Sequence, residues 1–400
     1  MDRYTIAILF MFFVIFGQIP TLLAGKADWN YKTDKAVYSV DISSEGDYIV
    51  CGSLDNNFYF LSKEGNLLWK YPSNDRALCV DLTPDGSFIV GGSKDKKVYM
   101  FSKEGDLLWS FVTGNTVESV ALSFNGSKII AGSDDGAAYF LSKEGSLLWK
   151  YETGAPVTTV AINPNGEYIA IGSNDKSIYF LSEDGKVIWK IKTLGEISSI
   201  DMSFDGAYIV SGTKNGWIYT ISNSGEILNK TKKNNGVVNV KITPNGNYIV
   251  AGSRDGGVYA MSNNGKLLWQ SLDDKGVYSV AINPDGTKVA AGSMDTIYIL
   301  SKNGKEIKCY QTYDDKYYLY SINSLAISLD SSTLVSTSRE CIFYFNHDTK
   351  KEFDLNECMP TKKNESTDTC FQKKLSELNE NPKRKTNGII SILLSFFRIR

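Results

Sequence analysis

Apolar residues in this chain come in short runs, and polar turn-formers separate them at even intervals. Val157 to Asn163 (VTTVAIN) alternates apolar with small polar side chains. The turn Pro164-Asn165-Gly166 follows, with proline preset for its first position and glycine free to take positive φ. Next come Tyr168 to Ser173 (YIAIGS), a turn around Asp175, and Ile178 to Leu181 (IYFL). A glycine-containing hairpin turn, SEDG, leads into Val187 to Ile191 (VIWKI). Runs this short, bounded by turn residues, predict four strands joined by hairpin-type connections.

The same pattern returns along the chain. Glycine stands at Gly46, Gly86, Gly126, Gly166, Gly206, Gly246 and Gly286, always 40 residues apart, and an eighth copy has Ser331 in its place. A second series runs from Gly52 to Gly292 and ends in Thr337. A third takes Gly65, Gly105, Gly145, Gly185, Gly225 and Gly265, then Gly304 after a one-residue deletion. One such four-stranded sheet cannot bury both of its faces. Copies stacked face to face do bury them, and radial closure leaves only short, protected edges. The expected fold class is therefore all-β: an eight-bladed β-propeller of four-stranded antiparallel blades, with seven blades as the alternative. It takes residues 28–355, after an N-terminal segment at 1–27 and before a tail at 356–400.

Aromatics keep the same register. The third strand of each copy carries Tyr59, Tyr99, Tyr139, Tyr179, Tyr219, Tyr259, Tyr298 or Tyr344, and the fourth carries Trp69, Trp109, Trp149, Trp189 or Trp269. Asn229 and Lys308 replace the tryptophan in copies five and seven. Because every blade shares them, these rings are expected to pack blade against blade. Trp29 lies 40 residues before Trp69, so Trp29-Asn30-Tyr31 matches a fourth strand with no strands before it. The fourth strand of the last copy, Lys351 to Leu355, lacks the tryptophan. The N-terminal strand is thus expected to complete the last blade and lock the ring.

The repeats resemble the WD-repeat and quinoprotein-like propeller families over about four-fifths of the chain. Ala281 to Gly286 (AINPDG) and Gly252 to Asp255 (GSRD) carry the first resemblance, and Ser142 to Trp149 (SKEGSLLW) the second. Those families imply seven- or eight-bladed discs used mainly as binding platforms. The histidine of the WD family is absent from every copy, and Leu61, Phe101 and Leu141 stand where its third-strand tryptophan would be. The adjacent cysteines of quinone-binding enzymes are also absent.

Composition narrows the chemistry. The net charge of −2 supplies no field to recruit nucleic acid. A single histidine, His347, leaves little room for His-based metal sites or Ser-His-Asp catalysis. No cofactor is expected. At the N-terminus, Arg3 precedes the apolar run Ile6 to Phe16, and small residues follow at Ala24, Gly25 and Ala27. This reads as a secretory signal peptide or, if retained, a membrane anchor. An exported chain permits disulfides, and Cys358 and Cys370 flank a polar, turn-rich segment whose closure would contribute about 3 kcal/mol. Cys51 and Cys79 fall inside strands and read as small buried hydrophobes. Asn364-Glu365-Ser366 is an N-glycosylation sequon, and Asn125-Gly126-Ser127 and Asn229-Lys230-Thr231 match the same pattern within the repeats. The C-terminal apolar stretch Gly388 to Phe397 would reach only about 15 Å as a helix, against roughly 30 Å of hydrocarbon. It suits either the membrane interface, with Lys383, Arg384, Lys385, Arg398 and Arg400 at the headgroups, or docking on the propeller rim.

Repeated residues build the disc, so function is expected where copies differ. The connection after the seventh copy is long and carries Tyr313, Asp314, Asp315, Lys316, Tyr317, Tyr318, Leu319 and Tyr320. Aromatic rings offer stacking area and carboxylates fix orientation, a mixture suited to glycan or peptide recognition. It serves equally as a cover over the blade junction. Trp217 stands where other copies have Asn57, Lys97, Ala137, Ser177 and Gly257, and reads as an exposed contact or as filler for space left by Asn229. Asp55, Asp95, Asp135, Asp175, Asp255 and Asp295 repeat at the turn between the second and third strands and are expected to cap it, with Lys214 and Arg254 beside two of the turns. The favoured reading is an exported or cell-surface, non-catalytic module that binds a protein, peptide or glycan. A propeller enzyme, quinone-dependent or a lyase, is the alternative.

Overall fold

The computed structural model describes residues 24–25, 27–272, 276–294, 296–311 and 322–346. Two compact units are present, the larger made of Ala27–Ile307 and Gln311–Asp348. In the smaller, the two-residue strand Ala24–Gly25 runs parallel to Cys309 and Tyr310.

Within the repeats, four-residue to six-residue strands form eight successive antiparallel sheets, the blades of a propeller. Blade one holds Val37–Ile42, Tyr48–Ser53, Asn57–Ser62 and Leu67–Pro72, called strands a to d from the axis outward. In blade four the strands are Val157–Ile162, Tyr168–Ser173, Ser177–Ser182 and Val187–Lys192, within a residue of the sequence expectation. Blade eight consists of Ile322–Ile327, Thr333–Ser338, Cys341–Asn346 and, as strand d, Trp29–Lys32. Eight sheets rule out the seven-blade alternative.

Burial follows the order of strands. Strands b and c are buried along nearly their whole length, whereas strand d alternates between exposed and half-buried. Fully buried Phe58, Phe60, Phe101, Phe140 and Phe180 come from strand c. Cys51 and Cys79 are buried free thiols, and burial pushes both up from the usual thiol range.

Blades are tied together at the rim by one repeated device. The indole N–H of each strand-d tryptophan donates to a carbonyl in the c–d turn of the next blade. Trp69 reaches Lys103 O at 3.0 Å, Trp109 reaches Lys143 O at 2.7 Å, Trp149 reaches Glu183 O at 2.8 Å and Trp189 reaches Asn223 O at 2.9 Å. Each such bond contributes about 1 kcal/mol net. The third glycine series exists for this contact. At Gly105, φ is +94°, and an added Cβ would lie 2.7 Å from Trp69 Cγ. In blade five Asn229 takes over the latch, donating from Nδ2 to Gly265 O at 2.9 Å.

Trp29 behaves as a strand-d tryptophan of blade eight. Its indole donates to Lys63 O of blade one at 2.7 Å and stacks on Tyr344 with ring centres 5.0 Å apart. Trp29, Asn30, Tyr31 and Lys32 pair with Tyr344, Phe343, Ile342 and Cys341. The first strand of the repeat region therefore closes the ring as its register requires.

Candidate functional site

Strands a and c run in one direction and b and d in the other, so the d–a and b–c connections share one face of the ring. On that face the turn aspartates work as structural hubs. Asp55 accepts from Asn57 N at 3.1 Å, from Tyr59 Oη at 2.7 Å and from Asp34 N in the neighbouring d–a connection at 3.1 Å. Asp255 accepts from Gly257 N, Tyr259 Oη and Asn234 N in the same way. Burial raises the pKa of Asp55, but the donors Tyr59, Asn57 and Asp34 outweigh it and hold the carboxyl below its usual range. Blade five substitutes Asn215, which donates to Leu194 O at 2.8 Å. These residues bind the loops to one another.

Strand a of each blade is an edge facing the axis, and its unpaired backbone groups need partners. Side chains of the preceding blade supply them. Ser119 Oγ accepts from Val160 N at 3.1 Å, Ser199 Oγ from Val240 N at 3.2 Å, and Ser324 Oγ from Val40 N at 3.3 Å across the closure. At the fifth strand position Asp41 accepts from Leu82 N at 3.3 Å, Asp81 from Leu122 N at 2.6 Å and Asp201 from Ile242 N at 2.9 Å. Asp41 and Asp81 are also close enough for each to shift the titration of the other. Burial pushes both carboxyls up, Asp81 furthest because the Asp41 charge adds to it. Lys241, set among Asp201, Asp41 and Asp81, is held above the usual ammonium range by those carboxylates. Among the described residues no group of three or more His, Cys, Asp or Glu side chains is placed to hold a metal ion.

The second position of strand a lies toward the d–a face and differs in every blade but two: Tyr38, Leu78, Glu118, Thr158, Ser198, Val238, Tyr278 and Asn323. Around this mouth the residue before each turn aspartate, or before Asn215 in blade five, also varies, as Leu54, Lys94, Asp134, Asn174, Lys214, Arg254 and Met294. Glu118 is pushed up by burial and by the charge of Asp134, while Lys214 and Lys94 pull the other way. Tyr38 is 51% exposed, and burial of its hydroxyl with the charge of Glu118 raises its pKa. Blades one, two, three and five thus bring a phenol, two ammoniums and a carboxyl pair within electrostatic reach of one another. Lys214 is already paired with Glu196 at 2.9 Å. Lys94 and Arg254 are exposed, and their side chains form no hydrogen bond or ion pair among the described residues.

The opposite mouth is apolar. Its a–b turns place Ser44, Pro84, Phe124, Pro164, Phe204, Pro244, Pro284 and Leu329 at one equivalent position. Phe124 N donates to Pro164 O and Phe204 N to Pro244 O, both at 2.9 Å. The rings of Phe124 and Phe204 meet edge to face with centres 4.9 Å apart, yet both remain exposed.

Of the residues singled out from sequence, Arg254 lies on the charged face. Trp217 begins strand c of blade five, half-buried against the Ile197–Ile221 core cluster, with Lys232 Nζ 5.7 Å from its ring centre. It pairs with Lys232, three positions along strand d from Asn229, so it fills no space left by Asn229. Tyr313, Asp314, Asp315, Tyr317, Tyr318 and Tyr320 lie outside the described residues, as do Asp295, His347, Cys358, Cys370 and Asn364. Sequence reasoning passed over Tyr38, Lys94, Glu118 and Asp134. Aligning the copies position by position would have found them, because each occupies a column that varies between blades.

Three sequence families match parts of the chain. The lambda-carrageenase beta-propeller domain matches residues 21–75 and 123–205, the outer membrane protein assembly factor BamB matches 174–315, and the WD domain, G-beta repeat, matches 65–102 and 105–140. No curated protein matches the chain. Among solved structures, Sqt1 of Chaetomium thermophilum bound to the N-terminus of ribosomal protein L10 is similar, with TM-score 0.72 at 15% identity over 80% of this chain and 99% of that one. The C-terminal WD40 domain of Sif2 gives 0.68 at 16% identity, covering 80% and 99%. The computationally designed Ika8 protein gives 0.68 at 17% identity, covering 81% and 99%. At these identities the likeness is one of fold.

Proposed function

We propose that this WD40-like propeller is an exported, non-catalytic binding module that holds a protein or peptide partner at the charged mouth of the ring. One observation carries the reading. The rim and the turns repeat the same contacts, whereas the mouth gathers Tyr38, Lys94, Glu118, Asp134 and Lys214 from columns that vary. Variable side chains on a rigid scaffold are where recognition concentrates. Arg254 and the 312–321 connection, which joins strand d of blade seven to strand a of blade eight, would extend the site. The Sqt1 relative supports a peptide as occupant, since that propeller is bound to a protein N-terminus. The apolar leader supports export, with cleavage between Leu23 and Asp28 and a Cys358–Cys370 disulfide; intact mass of the native protein tests both.

A glycan is the second reading, favoured by the match to a carrageenase propeller domain and by the tyrosines between residues 313 and 320. Peptide and glycan arrays probed with the mature protein separate the two. A peptide ligand should lose more than tenfold in affinity, about 1.4 kcal/mol, in the Lys94→Ala/Glu118→Gln variant. Binding to sugars alone would replace the protein reading by the glycan one.

A further inference from the structure

The turn joining strands a and b of blade three reads Ser123-Phe124-Asn125-Gly126-Ser127, and Asn125-Gly126-Ser127 is one of three N-glycosylation sequons in the chain. We propose that Asn125 is a glycosylation site, a proposal that rests on the export reading. The other copies show what this turn needs. Asp85 Oδ1 accepts from Ser87 N at 3.0 Å, Asp205 from Ala207 N at 2.9 Å, Asp285 from Thr287 N at 2.9 Å and Asp330 from Ser332 N at 3.0 Å. One side-chain oxygen is enough to hold the turn. Asn125 supplies that oxygen, accepting from Ser127 N and Ser123 Oγ, both at 3.0 Å. Its amide nitrogen makes no hydrogen bond among the described residues, and the residue is exposed. Asn165 and Asn245 occupy the same turn position in blades four and six, but Glu167 and Asn247 follow where a hydroxyl would be required. Blade three alone combines a spare amide with the acceptor sequence.

Asn229 is the internal contrast. Its Nδ2 donates to Gly265 O and Thr231 Oγ1, both at 2.9 Å, beneath the next blade. A sugar there would break the latch. At Asn125 the reaction takes a lipid-linked oligosaccharide as co-reactant. The anomeric C–O bond to its phosphate breaks, the C–N bond to Nδ2 forms, and the amide proton leaves with the released phosphate. The attached sugar would sit beside Phe124, 42% exposed, whose ring offers a stacking face. It would cover the apolar mouth and leave the charged one open.

The test is peptide mass mapping of the full chain made in secreting cells, before and after an amidase that converts each glycosylated Asn to Asp. Protease protection in isolated secretory membranes reports entry separately. We expect conversion at Asn125 and none at Asn229. Asn125→Asp should lose one glycan and keep the parent's melting temperature, because aspartate serves this turn elsewhere. A protected chain with unmodified Asn125 overturns the proposal. A chain that stays unprotected contradicts export instead. The whole chain behind an additional cleavable leader then reads Asn125 by itself, and an unmodified residue there also overturns the site.

Discussion

At the rim of the ring, Trp69, Trp109, Trp149 and Trp189 make the same bond to the next blade, each over a glycine. At the charged mouth, blade one presents Tyr38, blade three Glu118 and blade six Val238 at one equivalent position. The rim answers a problem common to all blades, how to stack sheets without gaps, and one solution is copied. The mouth is less constrained. The third and fifth strand positions accept from inner-edge N–H groups. At the second position Thr158, Ser198 and Asn323 donate to carbonyls of the next blade, while Tyr38, Glu118 and Val238 stand in the same column. Its side chains differ from blade to blade, and the difference marks where selection for a partner can act.

That contrast can be broken most forcefully at the closure. Deleting residues 28–34 removes the strand that pairs with Cys341–Asn346 and the Trp29 latch to Lys63. The loss should be on the order of 5 kcal/mol in denaturant unfolding, summed from one buried aromatic and several hydrogen bonds. An unchanged midpoint would show that the strand does not hold the ring. Next comes Gly105→Ala, which sets a methyl against Trp69 at a residue with φ of +94°. Strain and overpacking should together cost about 3 kcal/mol. Trp149→Phe keeps an aromatic ring against Phe140 but removes the bond to Glu183 O and part of the indole's contact area, for a loss of roughly 1–2 kcal/mol.

The smallest expected effect is one of pH. The fold favours the protonated form of the Asp41–Asp81 pair, since burial raises both carboxyls and the Asp41 charge raises Asp81 further. Stability from this pair is fully present below the ordinary carboxylate range and is lost as pH rises through the raised value. Asp81→Asn keeps an oxygen for Leu122 N and removes the carboxyl whose titration is raised furthest. Its melting temperature should therefore fall less than the parent's as pH rises from the ordinary carboxylate range toward neutrality. An identical pH profile would place the pair in contact with bulk water.

The rim could be read from sequence because its glycines and tryptophans repeat in register, and Trp29 announced the closure by keeping that register without a preceding copy. Asn229 looked like a lost tryptophan; its amide in fact makes the same latch, which only the neighbouring Gly265 carbonyl reveals. Trp217 drew notice by differing from its equivalents, but difference at the start of strand c leads into the blade, where Lys232 covers the ring. Glu118 and Lys214 are far apart in sequence and on different blades. Their meeting depends on how eight sheets converge on an axis, which no local pattern encodes.

The central claim is that the partner sits at the charged mouth. Its most direct test is the affinity of an array-selected peptide for the parent, for Lys94→Ala/Glu118→Gln and for Phe124→Ser at the opposite mouth, with melting temperatures measured alongside. The account predicts a loss of more than tenfold in the first variant and none in the second, both still folded. Full binding by the first variant with loss in the second would move the site to the apolar face and contradict it.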